Sequence, residues 1–406
     1  HRPVAIDRVD QLVEAQRRRP RAVGPAGAPF DGIDRLWVAG DERQQTVDLD
    51  LDDRGHLVGG GGEAVERSVV GQEEQVDPLA VATVEDGIIT GLGDDIVNIL
   101  DGSDVSGPAN GNGINTGAGN DQVYVRSVDP SMFADISEGI ATEDGDDIVR
   151  IEQNSRVTGG LNTGDGKDNV FVGFGPAAVV GSGTVLGSVN ASLTGGIDTE
   201  AGNDTVRLAN GSVVTGGLRT GTGDDVFNIG SSSATVHTGL ASLTGGIDAG
   251  AGDDVGELRD SSVVTGDVVM SRGNDSLTIT SGADITGVTR IDGGGNAAFN
   301  DGEEDILHLA GDLQTRRFQG SDLTNWETVN LKDDADITFH GADLVTGSDP
   351  SRTGVGFHNE NAGLVVQSGS FARFDGNFTV DGDLTNRGTV DLRPDAALGT
   401  TLNVTG

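Results

Sequence analysis

One motif returns eight times in this chain, G-x-G-[D/N]-D-x-[V/I/L]-x-[V/I/L]. It reads GLGDDIVNI from Gly91, GAGNDQVYV from Gly117, EDGDDIVRI from Glu143 and GDGKDNVFV from Gly164; it continues as EAGNDTVRL from Glu200, GTGDDVFNI from Gly221, GAGDDVGEL from Gly250 and SRGNDSLTI from Ser271. The starts lie 26, 26, 21, 36, 21, 29 and 21 residues apart, so every step is 21 or 21 plus an insertion. Recurrence at about 20–50 residues marks a chain whose units bury apolar surface only against their neighbours.

The bare unit appears in Glu143–Thr163, Glu200–Thr220 and Gly250–Met270, which align without gaps. Asp147, Asp204 and Asp254 sit fifth. Val149 and Ile151, Val206 and Leu208, then Gly256 and Leu258 sit seventh and ninth. Ser155, Ser212 and Ser262 follow at thirteen, and Val157, Val214 and Val264 at fifteen, each before Thr-Gly. Leu161, Leu218 and Val268 close the pattern at nineteen. Apolar residues two apart between Gly, Asp, Asn and Ser are strand signals, and the Gly-rich dipeptides are turn signals. Such a unit holds about three short strands, too little chain for strand plus helix. The expectation is an all-β, single-stranded parallel β-helix with about 21-residue rungs, spaced ~4.8 Å apart. Val149, Val206, Leu161, Leu218, Val157, Val214 and Val264 should then stack inside, with the residue before each fifth-position Asp exposed.

The organisation reads as three stretches. Residues 1–84 form an irregular or poorly ordered segment, with five of the ten prolines, an Arg17–Arg18–Arg19 run and no repeat. Residues 85–300 are the repeat β-helix, and 301–406 are less regular rungs. In the last stretch GEEDILHL from Gly302 echoes the motif, and strands are expected at Leu364–Val366, Phe378–Val380, Thr389–Leu392 and Leu402–Val404. Pro108, Pro130 and Pro176 fall only in the longer units, as residues leaving the ladder should. Beginning at His1, the chain reads as a fragment or a processed form.

Composition narrows the function classes. Residues 1–80 hold 10 Arg and 16 acids; of the total 26 basic and 65 acidic residues, this leaves 16 and 49 for the rest, a charge of −33. So acidic a surface repels nucleic acid and anionic lipid, so no nucleic-acid partner is expected. No apolar run approaches a membrane-spanning helix, hence no membrane insertion by this chain. With 0 Cys there is neither disulfide nor thiolate chemistry.

Two side-chain ladders carry whatever chemistry the repeat has. The fifth-position acids Asp95, Asp121, Asp147, Asp168, Asp204, Asp225, Asp254 and Asp275 should meet at one corner. Either they cap their own turns, or they bind calcium, which takes carboxylate oxygens; Asp121, Asp147, Asp204 and Asp225 are the candidate ligands. The motif is close to the nonapeptide of RTX calcium-binding repeats, but it never recurs nine residues after itself. No other cofactor is expected. The threonines Thr158, Thr194, Thr215, Thr244, Thr265 and Thr286, each before Gly, form the second ladder and read as β-branched stacking. No catalytic constellation is visible: His237, His308, His340 and His358 lack metal spacing, there is no nucleophile elbow or P-loop, and Lys167 and Lys332 are the only lysines. The chain reads as no enzyme.

The alternation of GAGNDTVRL with SVVTGGL, the segment LTNWETVNL, and above all GNFTVDGDLTNRGTVDLRPDAALGTTLNVTG resemble the passenger region of autotransporters, the type V secreted proteins of Gram-negative bacteria, over roughly residues 81–406. The resemblance implies a non-enzymatic stalk, exported unfolded, at the outer membrane surface or released outside the cell. It implies adhesion to a host or neighbouring-cell ligand through inserted loops, and a C-terminal membrane barrel that this chain lacks. Two other readings stay open: a secreted RTX-like calcium-binding module and a β-helical carbohydrate-active enzyme.

Overall fold

The computed structural model of the protein describes residues 34–40, 43–49, 83–85, 87–100, 102–107, 111–127, 132–173, 191–209, 211–231, 239–294, 304–341, 343–346, 363–393 and 401–404. From Thr83 onward these residues wind into a parallel β-helix with three faces. Sheet I has nine strands, from Thr83–Val84 to Asp284–Gly287; sheet II has ten, from Ile88–Ile89 to Leu323–Thr324; sheet III has fourteen, beginning at Ile96–Ile99. Each strand pairs in parallel with the same strand of the rungs before and after. Ser155–Thr158 lies between Ala134–Ile136 and Ala191–Thr194, and Asn169–Val172 between Ile148–Ile151 and Thr205–Leu208. Apart from a 3-10 turn at Gly320–Asp322, every described element is a strand. The fold is the solenoid that the 21-residue unit predicts.

The core follows the period-two pattern. Val149, Val157, Val206, Val214 and Val264 are 0% exposed, and Leu161 and Leu218 3%. The Gly256 anomaly has a packing cause: a Cβ there would meet Cζ of Phe227, one rung earlier, at 2.2 Å. The large ring occupies the space of two side chains.

The third motif position is Gly in all eight repeats because the backbone there is both left-handed and stacked. Gly202 has φ +148°, and a Cβ on it would stand 1.4 Å from the carbonyl oxygen of Gly166. The first position is less demanding: Glu143, Glu200 and Ser271 hold φ of 63°, 59° and 78° there, the ordinary left-handed well that non-glycine residues reach at modest cost.

Insertions obey a rule at the corner between sheets III and I. The turn is bare after Ile99, Ile151, Leu208, Leu258 and Thr280, and carries extra residues after Val125, Val172 and Ile229. Bare and inserted rungs therefore alternate from Ile99 to Leu258. Over these rungs the residue after the corner records which kind of rung it is. After three of the bare turns it is a buried serine whose Oγ donates to the carbonyl three residues back, Ser212 to Ala209 and Ser262 to Arg259, both at 2.7 Å, with Ser155 likewise on Glu152; after Thr280 it is Ala283. After an insert, Ala134, Ala191 and Ala241 fill the same position fully buried.

Beyond Asp292 the cross-section changes. Ile306–Gln319 and Thr328–His340 are strands of 14 and 13 residues that round a corner through irregular register. Their core turns aromatic: the rings of Phe374 and Phe378 are 5.0 Å apart, and those of Phe339 and Phe374 5.5 Å. The expected late strands are present as Gly363–Val366, Phe378–Asp381, Thr389–Arg393 and Leu402–Val404; Phe371–Asp375 and Leu384–Asn386 are additional. Within the first 84 residues, Asp34–Gly40 and Arg43–Leu49 form an antiparallel pair that the sequence reading does not place.

Candidate functional site: a buried file of carboxyl groups

The fifth-position acids do stack, but as part of the core. Asp121, Asp147, Asp168, Asp225 and Asp254 are 0% exposed, and Asp204 1%. They do not cap their own turns. Each Asp main-chain N–H donates to the Oδ1 of the Asp one rung later: Asp95 to Asp121 and Asp121 to Asp147 at 2.7 Å, Asp147 to Asp168 at 2.9 Å, then Asp168, Asp204, Asp225 and Asp254 onward at 2.8 Å. The local reading of the cap is thus corrected to one that ties rung to rung. Successive N–H groups of parallel strands point alternately to the two neighbours. The fifth N–H therefore points forward and the fourth backward. The exposed fourth side chains form a second file of opposite sense: Asp146 N–H donates to Asn120 Oδ1 at 2.8 Å and Asp253 N–H to Asp224 Oδ1 at 3.0 Å.

The buried file runs two rungs past the last motif. Asp275 N–H donates to Asp305 Oδ1 at 2.8 Å, and Asp305 N–H to Glu327 Oε2 at 2.7 Å. The sequence reading missed both as members. Their signal was an acid followed by apolar residues at plus two and plus four, Leu307 and Leu309, then Val329 and Leu331.

The second oxygen defines the electrostatics. In Asp121, Asp147, Asp168, Asp204, Asp225 and Asp254 the buried Oδ2 meets no aligned hydrogen-bond donor. Burial, with the neighbouring carboxyls adding to it, pushes Asp121 up to about 6, Asp147, Asp168 and Asp225 to about 7, and Asp254 to about 8; burial also raises Asp204. Charges one rung apart would repel by about 3 kcal/mol at an effective dielectric near 20. In the preceding turn Thr142, Thr199 and Thr220 stand beside the carboxyls and favour their charged forms. Yet these hydroxyls give their hydrogen to the next rung's carbonyl, at 3.0, 2.9 and 2.6 Å. A hydroxyl so committed accepts rather than donates, which suits a protonated Oδ2. Before Asp254 the same place holds Ala249, and no hydroxyl opposes the rise. Thr116 and Thr163, whose hydroxyls have no acceptor, favour the charged forms of Asp121 and Asp168. Burial therefore raises these carboxyls toward protonation, one per rung, with one oxygen tied to the backbone.

All four candidate calcium ligands, Asp121, Asp147, Asp204 and Asp225, lie in this file. Among the described residues no three His, Cys, Asp or Glu side chains are arranged to share a metal ion. The threonine ladder forms from Thr158 to Thr265 on the outer side of sheet I; Thr286 falls out of it at a register shift, where Thr265 faces Gly287. A groove of about 620 Å³ follows the Gly-Gly turns between sheets I and II, flanked by Asn162, Asp198, Arg219 and Asp248. His308 is half-buried, with Nδ1 3.1 Å from Asn330 Nδ2, and burial lowers it to about 4. His340 ends the strand Thr328–His340. His237 and His358 lie outside the described residues. Among the described residues no helix is long and apolar enough to cross a membrane. Comparison with protein-family models, curated proteins and solved structures finds no match to the chain.

Proposed function

We propose that this chain is a non-enzymatic stalk of the autotransporter-passenger kind, displayed at a bacterial cell surface or released from it, which adheres through its inserted segments. The alternation of bare and inserted rungs at one corner carries the reading. The inserts after Val125, Val172 and Ile229 leave the rod along a single edge, every second rung, while the core beneath them continues unbroken. A rod that holds its register beneath these inserts separates scaffold from display. The inserts also differ in chemistry: the 174–190 segment, FGPAAVVGSGTVLGSVN, contains no charged residue in a chain that is 22% charged. Function concentrates on loops held by rigid scaffolds.

The test replaces 173–190 and 230–240 by the three-residue turn Glu152–Asn154 and puts Ser at positions 191 and 241. The trimmed rod should melt as the parent does and lose adhesion to mammalian or bacterial cells. Undiminished adhesion removes the display role from the inserts; loss of the folded rod makes them structural.

A further inference from the structure

We infer that the outer face of sheet III, over its first five rungs, binds a carboxylate-bearing polysaccharide lying along the rod axis. The inference is independent of the inserts. Ten side chains point outward from Ile96–Ile99, Gln122–Val125, Ile148–Ile151, Asn169–Val172 and Thr205–Leu208, and none is acidic. The neighbouring faces carry Asp104 and Asp135 on sheet I, Asp198 and Asp248 on sheet II. In a chain with 65 acidic residues, an acid-free face is the exception.

One column of that face is Asn98, Tyr124, Arg150, Phe171 and Arg207, in register rung by rung. Its parts are held in place. The Arg150 guanidinium lies 4.9 Å from the centre of the Phe171 ring, and its Nε donates to Glu152 at 2.9 Å. Tyr124 donates to Gln122 Oε1 at 2.8 Å. Arg207 is exposed and forms no ion pair among the described residues. On so acidic a rod, the unpaired Arg207 guanidinium and the terminal nitrogens that Arg150 does not commit to Glu152 are left for a ligand to satisfy. The adjoining column, Ile96 through Thr205, is uncharged and includes Gln122, Asn169 and Thr205, which exchange hydrogen bonds with hydroxyl groups.

The spacing selects a polymer. Arg150 and Arg207 are two rungs apart, ~10 Å along the axis, close to the length of a disaccharide, so a uronic acid chain whose alternate sugars turn their carboxylates to the rod meets both. Guanidinium matches carboxylate in a two-point fork. Salt weakens repulsion from the rod's other acids with a decay length of ~8 Å at physiological ionic strength, and Glu152, at the edge of this face, is already paired to Arg150.

The experiment titrates the full chain with polygalacturonate by calorimetry in physiological salt, beside its fully methyl-esterified form and polyglutamate. Polygalacturonate should bind, the esterified chain and polyglutamate at least tenfold more weakly. Arg150→Gln with Arg207→Gln should lose at least tenfold, and Arg219→Gln on sheet II nothing. If the double variant melts early, the exposed Arg207→Gln alone serves, with an expected loss of several-fold. No binding, equal binding of the esterified chain, or an unaffected arginine variant overturns the inference; tighter binding of polyglutamate replaces it with an acidic protein partner.

Discussion

Asp254→Asn should make the rod less sensitive to alkali. The side chain is fully buried, accepts the Asp225 N–H at 2.8 Å, and burial pushes its carboxyl up to about 8. In the unfolded chain it titrates near 3.9. A group raised in the fold contributes stability that is complete below the unfolded value and disappears as pH climbs through the folded one. Between about pH 4 and 8 each unit therefore costs about 1.4 kcal/mol, to a ceiling near 5 kcal/mol. Asn keeps the Oδ1 acceptor, has nearly the same shape and does not titrate. At pH 4 the two proteins should melt within about 2 °C of each other, and at pH 9 the variant should melt roughly 4–10 °C higher. The assay is thermal melting by circular dichroism at pH 4, 6, 8 and 9. Parallel curves across the whole range, or a variant less stable at every pH, would show that Asp254 is ionised in the fold and refute the reasoning.

Three other perturbations address separate parts of the structure. Gly202→Ala should destabilise by more than about 3 kcal/mol, because φ is +148° and the new Cβ would overlap the Gly166 carbonyl; Glu200→Ala, on the first motif position, serves as the mild comparison in the same denaturant titration. Val214→Asp adds an unpaired charge to a fully buried site and should cost about 3–5 kcal/mol, seen as loss of hydrogen-exchange protection in neighbouring rungs. In chelator, sodium chloride should raise the melting temperature nearly as much as calcium at matched ionic strength, because the exposed acids repel; folding only in calcium would instead make Asp121, Asp147, Asp204 and Asp225 metal ligands.

The fold was legible because a solenoid repeats its constraints. Eight copies of one pattern specify turn, strand and inward face eight times, and local signals that mislead in a single copy agree in a set. The Ser155, Ser212 and Ser262 positions were visible, but not their equivalence to Ala134, Ala191 and Ala241, which needs the register between rungs that the insertions obscure. The file of acids was legible as a file and misread in its contacts. Asp next to Gly ordinarily caps its own turn, and only the stacking of rungs shows that its nearest free donor belongs to another repeat. Asp305 and Glu327 were hidden by the loss of the glycines around them. The Arg150–Phe171 column required register between rungs separated by insertions, which spacing alone does not supply.

The claim on which the account most depends is that the buried carboxyl groups carry protons in the folded rod. Infrared spectroscopy reads this directly, since a protonated carboxyl and a carboxylate absorb at separate frequencies and isotope-labelled Asp assigns the band. At pH 6.5 the folded chain should show a protonated Asp band that weakens in Asp147→Asn/Asp168→Asn/Asp225→Asn and vanishes on unfolding at the same pH. A folded rod with every Asp ionised at pH 6.5 would contradict the account.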